Sequence, residues 1–153
     1  MEQDKTVEIH IVPMQEQHLD ALAELEQLCF SQPWSREGLA TELLEPTACF
    51  LAAECGGKTI GYAGMHCVLE EAYVTNVAVD PRFRRHGAGR LLMQALERAA
   101  VERGAASLSL EVRLSNQGAI DLYRGCGFEE IGLRRGLYEQ PKEDGLILTK
   151  TFC

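Results

Sequence analysis

The sequence has no run of 18 or more apolar residues, so it predicts no transmembrane helix. Its first residues, Met1-Glu2-Gln3-Asp4, are acidic where a secretory signal is basic and then apolar, and a cytoplasmic location is expected. The six cysteines, at 29, 49, 55, 67, 126 and 153, form no C-x-x-C pair, and His10, His18, His66 and His86 fall at no zinc-ligand spacing. No metal site is therefore expected, and the thiols read as reduced, structural residues. Aromatic residues make up only 7%, so aliphatic side chains must build the core. Basic residues are outnumbered, 15 Lys+Arg against 23 Asp+Glu for a net charge of −8, which argues against a general nucleic-acid-binding surface. Linkers, repeats and low-complexity stretches are also missing, and the 153 residues are read as one domain, 1–153. With 46% hydrophobic residues the chain has enough apolar material for a core without disulfide or metal staples.

Val7, Ile9 and Ile11 alternate with polar residues and predict a first strand that Pro13 ends. Leu19, Leu22, Leu25 and Cys29, flanked by Leu28, then recur at helical spacing over residues 16–30, with Asp20, Glu24 and Gln27 on the other face. Ser35 suits the N-cap of a short second helix in which Leu39, Leu43 and Leu44 are the expected apolar contacts, closed by Pro46. Cys55-Gly56-Gly57-Lys58 joins two apolar runs, residues 50–54 and 59–68, as a hairpin. Residues 73–79 form a further strand, rich in β-branched side chains, that stops at Asp80-Pro81. A helix carrying Leu91, Leu92, Ala95, Leu96, Ala99 and Ala100 runs to Gly104, a suitable C′ residue. Leu108, Leu110 and Val112 alternate as a strand, and Ser115 is the expected cap of a helix bearing Ala119, Ile120 and Tyr123. Residues 128–134 and 146–152 close the chain as a strand pair. The order β-α-α-β-β-β-α-β-α-β-β predicts an α/β fold, a mixed sheet with helices on both faces. Three strands in series ahead of the glycine loop exclude a doubly wound dinucleotide fold.

The loop at residues 84–90 follows a strand and opens a helix, so backbone N–H groups and the positive end of the helix dipole converge on one point. Gly87 and Gly89 would let an anion approach the backbone, and Arg82, Arg84, Arg85 and Arg90 add four positive charges with no carboxylate among them. A phosphate group suits that place. A plain strand-to-helix turn with solvated arginines is the alternative. The loop lacks the Gly-Lys-Ser/Thr ending of a Walker loop and the third glycine of a dinucleotide fingerprint.

Arg84-Arg85-His86-Gly87-Ala88-Gly89 resembles the Arg/Gln-x-x-Gly-x-Gly/Ala signature of the GNAT family of acetyl-CoA-dependent N-acetyltransferases. The resemblance spans nearly the whole chain and is nearest to the RimI-type protein N-terminal acetyltransferases. It runs through Pro33-Trp34-Ser35, Asn76-Val77-Ala78-Val79-Asp80-Pro81, Leu110-Glu111-Val112-Arg113, Ser115-Asn116, Ala119-Ile120, Leu122-Tyr123 and Gly127-Phe128. It implies a twisted sheet of about seven strands and acetyl-CoA as co-substrate. It further implies that Val77, Ala78 and Val79 bond the pantetheine and acetyl group through their backbone. Arg85, His86, Gly87, Ala88, Gly89 and Arg90 would wrap the pyrophosphate, His86 serving by its position in the loop. Asn116 would contact the pantetheine arm.

Attack of an amine on a thioester needs a proton acceptor, and the departing sulfur is better released beside a donor. By the family pattern Glu111 takes the first role and Tyr123 the second. In the strand Glu111 faces away from Leu110 and Val112, and Tyr123 lies about two helical turns after Asn116, on the same face. Each also has a structural reading, Glu111 as an ion-pair partner of Arg113 and Tyr123 as a core aromatic. Cys126, between two glycines, is the competing nucleophile, although an activated thioester needs no covalent enzyme intermediate.

The resemblance implies that residues 29–35 and 134–144 shape the acceptor groove, with Trp34 and Tyr138 as its aromatic candidates. Gly136-Leu137-Tyr138 departs from the family's usual pair of adjacent tyrosines. The implied acceptor is the α-amine of a protein N-terminus, the alanine of a small-subunit ribosomal protein in the RimI type. An acidic enzyme would attract such a basic partner. No direct contact with nucleic acid or membrane is expected. A GNAT acting on lysine side chains or a small amine, and a non-catalytic acyl-CoA-binding module, remain the alternatives.

Overall fold

The computed structural model describes residues 8–139 and 141–152. Val7 of the expected first strand, the acidic residues 1–4 and Cys153 lie outside them. Seven strands, β1 (Ile9–Pro13), β2 (Ala48–Cys55), β3 (Lys58–Val68), β4 (Glu71–Val79), β5 (Ser107–Arg113), β6 (Glu129–Glu139) and β7 (Lys142–Thr151), form one sheet in the order β1-β2-β3-β4-β5-β7-β6. Only the central β4–β5 pair is parallel. Helix α3 (Ala88–Glu102) makes the crossover between those two strands. Helices α1 (Leu19–Cys29) and α2 (Arg36–Glu42) lie between β1 and β2, and α4 (Gln117–Gly125) lies between β5 and β6. The element order is the one expected from the sequence.

Two apolar clusters occupy the two faces of the sheet. The larger joins Ala88, Leu92, Met93, Leu96 and Ala100 of α3 and Ile120 and Tyr123 of α4 to Ala63 and Met65 of β3 and Leu108, Leu110 and Val112 of β5. The smaller joins Leu19, Leu22 and Leu25 of α1 and Leu39 of α2 to Phe50, Tyr62 and Ala78. Strand alternation explains this division, because Tyr62 and Ala63 are neighbours that point to opposite faces. Gly64 pairs with Phe50, whose ring lies so close that a Cβ on Gly64 would sit 2.3 Å from it. The smaller cluster is thereby closed by a ring lying on bare backbone, stacked at 6.2 Å on Tyr62. Lys150 of β7 ties the larger cluster's rim together, its Nζ donating to both Glu97 carboxylate oxygens and to the Cys126 carbonyl at 2.6–2.8 Å.

Several local expectations need correction. Leu43 and Leu44 are exposed, because α2 ends at Glu42 and the following turn carries both off the helical stripe. Met93, not Leu91, completes the buried stripe of α3. The cap of α4 is Asn116, whose Oδ1 accepts the Ala119 N–H at 3.2 Å, while the Ser115 N–H donates to Glu143 at 2.6 Å. The final hairpin is longer than its hydrophobic pattern indicates. Gly136 and the polar residues 142–144 have low strand propensity, yet the Asp144 carboxylate accepts the Gly136 N–H at 2.8 Å and holds them in the ladder. The segment expected as the acceptor-side hairpin, residues 134–144, is thus mostly paired strand.

Candidate active site

The site begins with a bulge. Asn76 of β4 pairs with Gly64, but Val74 pairs with Met65, so Thr75 is an extra residue that bends β4. The parallel pairing of β4 and β5 covers only Glu71–Tyr73 against Ser107–Ser109 and stops just before that bend. Beyond it the strands diverge, and the β5-side backbone of Val77, Ala78 and Val79 has no strand partner. On the other side Gly61 lets β3 follow β4 closely, since a Cβ there would stand 2.7 Å from the Ala78 carbonyl. The resulting cleft has a volume of about 1230 Å³. Val77, Ala78 and Val79 line it from β4, Glu111 from β5, Asn116 from the cap of α4 and Tyr123 from α4 itself.

One end of the cleft gathers backbone N–H groups and positive charge. Arg85 has φ +68° and Gly87 has φ +86°, so the chain coils tightly around His86 and its N–H groups gather ahead of α3. No acidic residue lies in the first turn of α3. Of the four arginines, Arg82 is spent on Asp80, with Nη2 2.7 Å from the carboxylate. Arg84 donates to the Val79 carbonyl at 3.3 Å. Among the described residues Arg85 and Arg90 have no ion pair, and both line the cleft. Ala88 lines it too and is buried, whereas His86 is exposed and does not line it. Gly89 has a packing reason: a Cβ there would meet Leu122 Cδ2 at 2.9 Å, so its absence lets α3 and α4 approach.

Glu111, Tyr123 and Tyr138 come together at the other end. The Glu111 carboxylate forms an ion pair with Arg134 of β6, with Nε 3.0 Å from Oε2. The anticipated partner Arg113 is engaged elsewhere, with its guanidinium 4.4 Å above the Tyr138 ring and 3.3 Å from Glu143. The hydrogen bond from Ser115 holds the Glu143 carboxyl below its ordinary value. Burial pushes the Tyr138 phenol up, and the Glu111 charge adds to this while Arg113 opposes it. The Tyr123 ring packs edge-on against Phe128 at 6.0 Å, and burial, helped by Tyr138, raises its phenol well above the ordinary value. The Tyr123 ring belongs to the larger core cluster, and the residue also lines the cleft. Trp34 also lines the cleft, and its backbone N–H donates to Glu26 at 2.9 Å. Cys126 is outside the lining, and burial raises its thiol despite Arg90 and Lys150, which suits packing and not nucleophilic attack.

The pattern of the acetyltransferase (GNAT) family matches residues 19–128. The chain belongs to the GNAT acetyltransferase family. This acetyltransferase is 39% identical over 132 residues to the ribosomal protein bS18-alanine N-acetyltransferase of Escherichia coli (strain K12), covering 85% of this chain and 88% of that one. It is 35% identical over 134 residues to N-alpha-acetyltransferase RimI of Mycobacterium tuberculosis, covering 84% and 83%. The crystal structure of the ribosomal-protein-S18-alanine N-acetyltransferase from Escherichia coli superposes with a TM-score of 0.85 at 34% identity over 94% of each chain. GNAT enzymes take their acetyl group from acetyl-CoA, and the coiled loop at residues 85–87, with Arg85 in it and Arg90 in the first turn of α3, fits its phosphates. Among the described residues no group of three or more His, Cys, Asp or Glu side chains could hold a metal, and no helix is long and apolar enough to cross a membrane.

Glu26, Tyr62, Asn76 and Arg134 also belong to the site's surroundings and were not singled out from the sequence. Glu26 was detectable there, since it falls four residues after Leu22 and seven after Leu19, on the apolar stripe of α1. Arg134 gave no such signal, because its meeting with Glu111 depends on how β6 pairs with β7.

Proposed function

We propose that this acetyltransferase is a single catalytic domain that acetylates the α-amine of a protein N-terminus. Its proposed acceptor is the N-terminal alanine of a ribosomal protein of the bS18 type, in the cytoplasm. The observation that carries the reading is the convergence of Glu111, Tyr123 and Tyr138 beside the free edge of β4, in a chain 39% identical to the Escherichia coli enzyme. The net charge of −8 favours a basic partner of the ribosomal kind.

In this scheme the loop at residues 85–90 holds the phosphates of acetyl-CoA, and Asn116 meets the pantetheine arm. The backbone of Val77, Ala78 and Val79 orients the acetyl group and stabilises charge on its oxygen. The neutral amine attacks the thioester carbon, a C–N bond forms and the C–S bond breaks. Glu111 accepts the proton that the nitrogen sheds. Tyr123 donates a hydrogen bond to the departing sulfur. The sulfur leaves as a thiolate held by that hydrogen bond and is protonated as CoA departs. Trp34 and Tyr138 flank the incoming chain.

Mass spectrometry of peptides with varied N-termini, incubated with the enzyme and acetyl-CoA, tests the reading. Acetyl on the α-amine of an alanine-initiated peptide is the expected result. Label confined to lysine side chains, or none on a peptide with a free α-amine, would overturn it.

A further inference from the structure

Glu26 is 1% exposed, and both of its carboxylate oxygens are occupied. Oε1 accepts the Trp34 backbone N–H at 2.9 Å, and Oε2 accepts the Tyr62 hydroxyl at 2.6 Å. Tyr62 is fully buried, and burial together with the bond to Glu26 holds its phenol far above the ordinary range. Its single proton is therefore committed to Glu26. The hydroxyl oxygen then has only acceptor capacity left, which Asn76 Nδ2 uses at 3.0 Å. That bond dictates the orientation of the Asn76 amide, with Nδ2 toward Tyr62 and Oδ1 away from it.

Asn76 is 8% exposed, and among the described residues Oδ1 is the buried side-chain polar atom that has no hydrogen-bond partner. An unpaired buried oxygen costs about 1–3 kcal/mol. Asn76 lines the cleft one residue before Val77, and Glu26 and Trp34 line it as well. The chain Trp34–Glu26–Tyr62–Asn76 thus runs from the acceptor-side loop to the strand that presents the acetyl group. An amine attacking there keeps at least one N–H to donate.

We propose that Asn76 Oδ1 accepts an N–H of the acceptor's amino-terminal residue, and that Glu26 and Tyr62 are positioning residues that make Asn76 present an acceptor and not a donor. The inference rests on the reading of the chain as an N-terminal acetyltransferase. It assigns the site to a primary amine or peptide N–H and disfavours a carboxylate or carbonyl at that point.

Glu26→Gln changes almost no volume but reverses the chain. The carbonyl of the new side chain still accepts from Trp34, and its amide donates to Tyr62. The Tyr62 proton then turns to Asn76, which must present Nδ2 to the cleft. With an alanine-initiated peptide, KM for the peptide should rise about tenfold, the loss of one hydrogen bond. kcat and the acetyl-CoA dissociation constant should stay within about threefold, in steady-state assays and calorimetry. The double variant Glu26→Gln/Asn76→Asp restores an oxygen at the cleft and should return KM to near the parent value, a rescue that lost packing would not show. Asn76→Ala, which leaves the Glu26–Tyr62 bond intact, should reproduce the KM rise and carries the test if the Gln variant does not fold. An unchanged peptide KM in Glu26→Gln or Asn76→Ala, or no rescue in the double variant, overturns the inference. A parent enzyme that acetylates no α-amine removes the functional reading instead, and that is measured first.

Discussion

Replacing Tyr123 with phenylalanine separates structure from chemistry more cleanly than any other change at this site. The ring is 7% exposed and packs edge-on against Phe128, and both features survive the substitution. The hydroxyl makes no hydrogen bond among the described residues, so removing it orphans no partner. Stability should change by less than about 0.5 kcal/mol, which for a chain of this size is about 2 °C or less in Tm. A hydrogen bond aimed at charge developing on the sulfur is worth far more. Loss of one such donor typically costs about 10²–10³ in kcat, or about 2.7–4 kcal/mol. Initial rates of thiol release at saturating acetyl-CoA and alanine-initiated peptide, beside thermal melts, give both numbers. A kcat within about threefold of the parent would remove Tyr123 from the reaction. A fall in Tm of more than about 5 °C would mean that its hydroxyl holds structure after all.

The raised Tyr123 and Tyr62 phenols carry a pH prediction of definite sign. Folding favours their neutral forms, so this stability is complete below the ordinary phenol value of 10.0 and is lost as pH rises beyond it. Denaturant midpoints should decline above about pH 10, and by less in Tyr123→Phe; an equal decline in both proteins would refute the assignment. Glu111→Gln should lower kcat about 10²-fold at neutral pH and leave acetyl-CoA affinity within about threefold, measured by calorimetry, and unimpaired turnover would exclude Glu111 as proton acceptor. Gly87→Val forces a β-branched residue to φ +86° at a cost of about 1–2 kcal/mol or more, and the acetyl-CoA dissociation constant should rise at least about tenfold. Normal affinity in that variant would show that the loop does not hold the phosphates. Gly64→Ala places a Cβ 2.3 Å from the Phe50 ring and should destabilise the fold by about 1–3 kcal/mol in denaturant titrations; an unchanged midpoint would mean the ring moves aside freely.

Apolar periodicity and turn chemistry were sufficient to order the seven strands and four α-helices of the described residues, because both are local. Residues 1–3–5 of a strand or 1–4–8 of a helix share a face whatever else the protein does. Gly56-Gly57, with φ +59° and +80°, and Gly104, with φ +87°, stand where their sequence context placed them. The loop at residues 84–90 and the outward placement of Glu111 were legible for the same reason. Local pattern failed where polar residues were held by distant partners. Asp144 keeps Gly136 in β6, Glu143 takes the Ser115 N–H, and Asp80 neutralises an arginine that the sequence counts among four free charges.

Tertiary structure alone decided the cleft itself. No sequence pattern marks Thr75 as the bulged residue, since a bulge is a mismatch between two strands and belongs to neither. That mismatch ends the β4–β5 ladder and frees the backbone of Val77, Ala78 and Val79. Register likewise decided that Arg134, and not Arg113, meets Glu111 across β7. Burial then fixed the protons, holding those of Tyr62 and Tyr123 in place and leaving one oxygen of Asn76 unpaired. The residue types and their order are written in the chain, whereas hydrogen-bond direction, dielectric and strand register exist only once distant segments pack.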